Sequence, residues 1–287
     1  MRNNRSVLIT GTSSGIGKAC ALHLDKMGFK VFAGVRKDKD KDILINEASE
    51  KLKPIILDVV KEDTIIDAVN IISNETEYPL FGLVNNAGIG ISGVLEATPV
   101  NELRKVMEVN VIGLHALTKA FLPQLRKNKG RIINIGSISS FMASPGSSSY
   151  AASKFAVRAI SDSLRIELKS FGMFVSLIAP GAIESSIWDK SRTYKKKLCE
   201  SSDPELLDEY KLLIKAGEKM VDSITPIPAV EVAKAVAHGL TSKKPKNVYF
   251  VGNDAKKVYI LSKLPRRLLN LLFIKSITAI ANKSIKH

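Results

Sequence analysis

Tyr150 and Lys154 stand four residues apart, and Ser137 lies thirteen residues before the tyrosine. A phenol, an amine and a hydroxyl so arranged can move a proton onto or off an oxygen atom. A free phenol has a pKa of about 10, too high for ready exchange at neutral pH. On a helix, positions i and i+4 share a face, which sets the Lys154 ammonium beside the Tyr150 oxygen. One positive charge about 4 Å away, at an effective dielectric near 20, contributes roughly 4 kcal/mol. That would lower a phenol pKa by about three units. The sequence thus predicts a Tyr150 hydroxyl drawn towards neutrality by Lys154 and able to act as a general acid or base.

Spacing alone does not make this chemistry, because Tyr259 and Lys263 repeat it. Thirteen residues before Tyr259 stands Lys246, and no glycine-rich loop leads into that region. The second pair reads as one face of an amphipathic helix.

The elements that must position the first pair begin at the N-terminus. Ser6-Val7-Leu8-Ile9-Thr10 is a short apolar run of the kind that forms a buried strand. It leads into Gly11-Thr12-Ser13-Ser14-Gly15-Ile16-Gly17, and then into a helical stretch that ends at Gly28. In a strand–turn–helix context, glycines let the backbone approach a pyrophosphate, and free N–H groups at the helix start face the anion. The alternative is a tight turn that needs positive φ. The next strand, Lys30 to Val35, ends without a carboxylate and is followed by Arg36 and Lys37. A carboxylate there would hold the ribose 2′-hydroxyl of NAD, whereas a basic residue accommodates the 2′-phosphate of NADP. Arg36 therefore favours NADP(H) and leaves NAD(H) open; a solvated loop of alternating charge, residues 37–42, is the other reading.

With these residues in place, the chain resembles the short-chain dehydrogenase/reductase family over roughly residues 5 to 185. The likeness rests on Thr10-Gly11-x-x-x-Gly15-Ile16-Gly17, Asp58, Asn85-Asn86-Ala87-Gly88, Asn110, Ser137, Tyr150-x-x-x-Lys154 and Pro180-Gly181, in that order. Residues 31–36 and 154–165 are most similar to the hydroxysteroid, retinol and related bacterial dehydrogenases. The resemblance implies Tyr150 as acid/base, Lys154 as its modulator and holder of the nicotinamide ribose, and Ser137 as hydrogen-bond partner of the reacting oxygen. It implies Asn110 as holder of a water that links Lys154 to solvent. Gly11, Ser13, Ser14, Gly15, Ile16 and Gly17 would cradle the pyrophosphate. Asp58 would contact the adenine, and Asn85, Ala87 and Gly88 would border the adenosine ribose. Pro180, Gly181, Ile183 and Ser185 would face the nicotinamide carboxamide; the family often has Thr where Ser185 stands. Asn110 could instead cap or kink a helix, Asp58 could be a turn residue, and Asn85 could tie strands together. The implied reaction is hydride transfer between NADP(H) and a carbonyl or alcohol of a hydrophobic substrate such as a steroid, retinoid or other lipid. NAD-dependent oxidation of a smaller or acyl-type molecule is the runner-up. The resemblance further implies a homodimer or homotetramer.

At 287 residues and 45% hydrophobic, the chain can bury a large core. Alternating strand and helix patterns point to one α/β domain over residues 1–255, a Rossmann-type doubly wound sheet of seven parallel strands flanked by helices. A helix is expected from Thr98 (cap) and Pro99 through Asn110 towards Leu125, and another over Ser148 to Phe171. An insertion over about 186–228, with Ile187, Trp188, Leu198, Leu206 and Leu207 as wall candidates, would cover a bulky apolar substrate. Two cysteines, Cys20 and Cys199, give no disulfide framework, and four scattered histidines give no metal site. No signal peptide or membrane-spanning run is evident, so the cytoplasm is the expected location. The net charge is +15, and residues 255–287 carry Lys256, Lys257, Lys263, Arg266, Arg267, Lys275, Lys283 and Lys286 with no Asp or Glu. This extension, 256–287, reads as basic and amphipathic, fit for a membrane surface, the domain or a second subunit. Without interleaved aromatics, nucleic acid is not an expected partner.

Overall fold

Strands as apolar as Val7-Leu8-Ile9 must be covered on both faces, and helices between parallel strands provide that cover. The structure, a computed structural model, describes residues 4–184 and 186–285. The first half runs β1 (Ser6–Thr10), α1 (Gly15–Lys26), β2 (Lys30–Val35), α2 (Asp38–Glu47), β3 (Leu52–Ile56), α3 (Glu62–Ser73) and β4 (Leu80–Asn85). Then follow α4 (Val100–Met107), α5 (Leu114–Lys127), β5 (Arg131–Ile135), α6 (Ser148–Glu167) and β6 (Phe174–Pro180). The chain closes with α7 (Ser186–Ser201), α8 (Pro204–Glu209), α9 (Lys211–Asp222), α10 (Ala229–Thr241), β7 (Val248–Val251), α11 (Asn253–Leu261) and α12 (Arg266–Ile285).

The seven strands form one parallel sheet in the order β3-β2-β1-β4-β5-β6-β7. Side chains alternate across it. Val7, Ile9, Val31 and Ala33 pack with Cys20, Leu24, Val232 and Val236 of α1 and α10. Leu8, Phe32, Leu83 and Ile132 pack on the other face with Ile65 and Ile72 of α3 and Leu117 and Phe121 of α5. The chain leaves β1 towards β2 and leaves β4 towards β5, so the strand order reverses between β1 and β4. The loops at their C-terminal ends diverge there and open a crevice.

Three expectations change. The helix expected from Thr98 to Leu125 is interrupted by a π-helical segment, Glu108–Gly113, between α4 and α5. Thr98 does not cap it; its hydroxyl donates to Val94 O at 2.8 Å, and Pro99 stands before the first helical residue, Val100. α6 stops at Glu167, followed by a 3₁₀ turn, Lys169–Phe171, and Gly172 at φ +70°. The C-terminal helix is basic but not amphipathic. Leu269 is buried while Leu268, Leu271, Leu272 and Ile274 are exposed, because apolar residues are spread around α12 rather than along one stripe. α12 packs on α9.

Candidate active site

Every residue singled out up to Pro180 is carried to the C-terminal edge of the sheet. Gly11 follows β1, Arg36 β2, Asp58 β3, Ala87 and Gly88 β4, Ser137 β5, and Gly181 β6. Tyr150 and Lys154 are brought to the same edge by the first turns of α6.

The glycine turn is shaped by backbone contacts that leave no space for side chains. Gly11 and Gly15 have φ of +68° and +58°, the region glycine adopts without strain. A Cβ on Gly17 would run into Gly11 O and the Asn86 amide. Asn86 Nδ2 donates to Thr10 O at 2.8 Å and Gly11 O at 3.1 Å, while Thr10 Oγ1 accepts from Asn86 N and Ala87 N at 3.0 and 2.9 Å. Thr12 Oγ1 donates to Gly34 O at 3.0 Å. These bonds lock the loops after β1 and β4 together. Sequence reasoning gave Thr10, Thr12 and Asn86 no role; a threonine beside the first glycine and a doubled asparagine are the signals it had. Ser13 stays exposed on the rim, with Ser14 and Ile16 half-buried at the start of α1. The cradle fits a dinucleotide: glycines where a Cβ would intrude, a helix N-terminus facing the opening, and an exposed Arg36 with no ion pair among the described residues.

Asp58 is half-buried at the end of the third strand's loop, its carboxylate accepting from Val60 N at 3.3 Å. Asn85 turns inward. Its amide donates to Thr118 Oγ1 at 3.0 Å and Asn134 Oδ1 at 2.8 Å, and Asn134 in turn donates to Ser161 Oγ at 2.9 Å. Its side chain ties β4 to β5 and α5, so only its backbone can border a ribose. Ser185 lies outside the described residues. Ile183 is buried and forms a bridge with Ile227.

Ser137, Tyr150, Lys154 and Asn110 come together. Ser137 Oγ accepts from Ser139 N at 3.1 Å, and Ser140 Oγ accepts from Ser137 N at 3.2 Å, a reciprocal cap that fixes the serine. Ser137 also hydrogen-bonds the Tyr150 phenol. Lys154 is buried, and its ammonium donates to Ile135 O at 2.9 Å, leaving two of its three hydrogens for other acceptors. Asn110 sits in the π-helical segment, fully engaged: Oδ1 accepts from Ile89 N at 2.8 Å, and Nδ2 donates to Ile89 O at 2.9 Å and Ser153 Oγ at 3.0 Å. The side chain holds the loop after β4 in place, and Ser153 is a support that sequence reasoning passed over. Gly88 lies exposed between them; a Cβ there would sit 3.2 Å from Asn110 Oδ1 and 3.7 Å from Lys154 Nζ.

The electrostatics overturn one expectation. Burial pushes the Tyr150 phenol above its ordinary value, and the Ser137 hydrogen bond offsets only part of that rise. Burial lowers Lys154 to about 8. The ammonium lies 5.7 Å from the centre of the Tyr150 ring and is held by Ile135 O rather than by the phenolic oxygen. Desolvation disfavours the phenolate, so Tyr150 is held as a protonated phenol.

α7 and the residue that follows α8 lie against the loop after β4. Leu198 is buried with its end against Gly93, where a Cβ would lie 2.5 Å from Leu198 Cδ2. Tyr210 donates to Glu96 Oε2 at 2.9 Å. Of the other wall candidates, Leu206 and Leu207 are half-buried, and the side chains of Ile187 and Trp188 lie outside what is described.

The comparisons with known proteins agree with this architecture. The family described as short chain dehydrogenase matches residues 5–196. The chain is 37% identical to 3-amino-tetrahydro-pyrrolizinone reductase of Xenorhabdus hominickii, over 91% of each protein. It is 33% identical to retinol dehydrogenase 7 of Mus musculus, over 94% of this chain and 87% of that one. A short-chain dehydrogenase structure from Streptomyces avermitilis superimposes with a TM-score of 0.75 at 28% identity, covering 89% of this chain and 90% of that chain. The chain belongs to the short-chain dehydrogenase family, and it is an oxidoreductase of that family with likeness to its retinol dehydrogenase members.

Proposed function

We propose that the chain interconverts a carbonyl and an alcohol on a hydrophobic molecule, a steroid, retinoid or other lipid, with NADP(H) as hydride partner. The observation that carries this reading is the Ser137–Tyr150–Lys154 cluster, built around a buried ammonium and with its phenol kept protonated, beside a glycine cradle shaped for a dinucleotide. The nicotinamide supplies or accepts the hydride when bound. Tyr150, as the protonated acid, gives its proton to the carbonyl oxygen that Ser137 also hydrogen-bonds. Lys154 offers its two remaining hydrogens to the ribose hydroxyls and keeps a positive charge near the oxygen that gains electrons. Arg36, exposed just after β2 and in no ion pair among the described residues, supports NADP(H). Buried Leu198 and the retinol dehydrogenase relative support a lipophilic substrate. The test is NADPH oxidation across steroid, retinoid, acyl and small-carbonyl panels. Turnover is expected with bulky apolar carbonyls; turnover confined to NADH and small polar carbonyls sinks the proposal. Arg36→Leu is expected to raise the KM for NADPH about tenfold and to leave that for NADH near its starting value.

We also propose that α11 and α12 rest on an anionic lipid surface. No helix of the described residues is long and apolar enough to cross a membrane. Ile260, Leu268, Leu271, Leu272 and Ile274 are exposed among lysines and arginines with no acidic residue after Asp254. With no apolar stripe on α12, the attraction rests on its cations, each contributing about 1 kcal/mol near an anionic surface, with the scattered exposed apolar side chains adding contact. The protein should sediment with anionic vesicles and not with zwitterionic ones. Leu271→Glu/Leu272→Glu should abolish this; unchanged sedimentation of that variant removes the proposal.

A further inference from the structure

Asp254 lies in the first turn of α11, beyond the residues matched by the family, yet it reaches back 72 positions to the end of β6. Its Oδ2 accepts the Ala182 N–H at 2.6 Å. Two glycines make way for it. A Cβ on Gly181 or on Gly252 would run into the Asp254 carboxylate, and Gly252 holds φ +106°, a conformation that L side chains rarely adopt. Backbone bonds tie the turn as well: Gly181 N donates to Val251 O at 2.9 Å, Ile227 N to Ala182 O at 3.0 Å, and Glu184 N to Ile227 O at 3.0 Å. The strand that leads into the turn runs beside Ser137: Gly136 N, one residue before it, donates to Ile178 O of β6 at 2.8 Å.

We infer that Asp254 is a positioning residue that sets the Pro180–Gly181–Ala182–Ile183 turn, and through it the nicotinamide end of the cofactor site. The inference rests on the dinucleotide reading of the cradle. Asp254 forms no ion pair among the described residues, so its carboxylate is engaged by the turn and by the start of α11, where the helix dipole favours a negative charge. Charge-assisted bonds from a carboxylate to a backbone N–H are short and strong. Losing this one frees Ala182 N and leaves the turn held less firmly, with the backbone bonds to Val251 and Ile227 still in place. The adenosine half of the cradle, at β1 to β3, is built from other loops and does not touch Asp254.

That asymmetry defines the experiment. Asp254→Ala, Asp254→Asn and Gly181→Ala are made in the full chain. Calorimetry then measures NADPH against 2′-phospho-ADP-ribose, which lacks the nicotinamide, and NADH against ADP-ribose. Asp254→Ala is expected to weaken NADPH about tenfold. The nicotinamide-free analogue should stay within about twofold, because its contacts are elsewhere. Asp254→Asn keeps an acceptor oxygen and should fall between. Gly181→Ala, whose new methyl displaces the carboxylate, should reproduce Asp254→Ala. Equal weakening of dinucleotide and analogue would mean that Asp254 merely stabilises α11, and it overturns the inference, as does no change in either. Wild-type protein that binds NADPH no tighter than 2′-phospho-ADP-ribose, and NADH no tighter than ADP-ribose, defeats the dinucleotide reading itself, a pattern distinct from the other two. If Asp254→Ala does not fold, Asp254→Asn and Gly181→Ala decide by the same criteria.

Discussion

Tyr150–Lys154 and Tyr259–Lys263 have the same spacing on two helices of one molecule, α6 and α11. The second pair is the closer: Lys263 Nζ is 4.9 Å from its ring centre, against 5.7 Å for Lys154. Proximity therefore does not distinguish them. Lys154 is buried and donates to Ile135 O, whereas Lys263 is exposed. Tyr150 meets the hydroxyl of Ser137; Tyr259 meets rings, 4.2 Å from Phe250 and 5.6 Å from Phe141 between centroids. A buried ammonium and a hydroxyl neighbour set the first phenol apart. Aromatic neighbours make the other a piece of core.

The sharpest way to break this comparison is to remove each hydroxyl. Tyr150→Phe should lower kcat by about a thousandfold, within the range for loss of a general acid, and leave NADPH affinity nearly unchanged. Tyr259→Phe should leave kcat within about twofold, since its ring packing survives. Comparable losses in steady-state turnover would erase the distinction. The protonated phenol adds a direction. Carbonyl reduction should be flat across neutral pH, while alcohol oxidation should rise about tenfold per pH unit until the phenol ionises.

Removing each amine gives effects on stability. Lys154 has a native pKa of about 8 against 10.5 for the free group. The unfolded chain therefore binds more protons between those values, and stability rises with pH through that window. Charged Lys154 destabilises the fold by about 3 kcal/mol at neutral pH, an order-of-magnitude figure. Lys154→Met should thus be inactive yet more stable than the parent by about 1–3 kcal/mol at pH 7, with the gain fading as pH approaches 10.5. Denaturant unfolding at several pH values checks this. Lys263→Met should change neither activity nor stability by more than about 0.5 kcal/mol, as an exposed site.

Truncating the ring reverses the order of the two sites. Tyr259→Ala should destabilise by about 2–3 kcal/mol through loss of the Phe141–Phe250 contacts, with kcat per folded molecule retained. A neutral result in thermal unfolding would show that the aromatic cluster does not support α11.

Local features were legible. The run Val7-Leu8-Ile9, the glycines at 11, 15 and 17 and the i+4 pair in α6 carry their structure in adjacent residues, and their order along the chain named the family. Features set by distant partners were not. The π-helical segment depends on Asn110 holding Ile89, 21 positions away, and the inward turn of Asn85 depends on Thr118 and Asn134. The direction of the Tyr150 shift depends on how completely the fold excludes water, which spacing cannot express. The contact between Asp254 and Ala182 leaves only two glycines as its trace.

The notch at Gly93 has one more consequence. Leu198 fits there because no side chain stands in its way. A methyl at position 93 would act as a doorstop, holding α7 ajar. The seating of α7 against the loop after β4 is thus set by a single hydrogen atom.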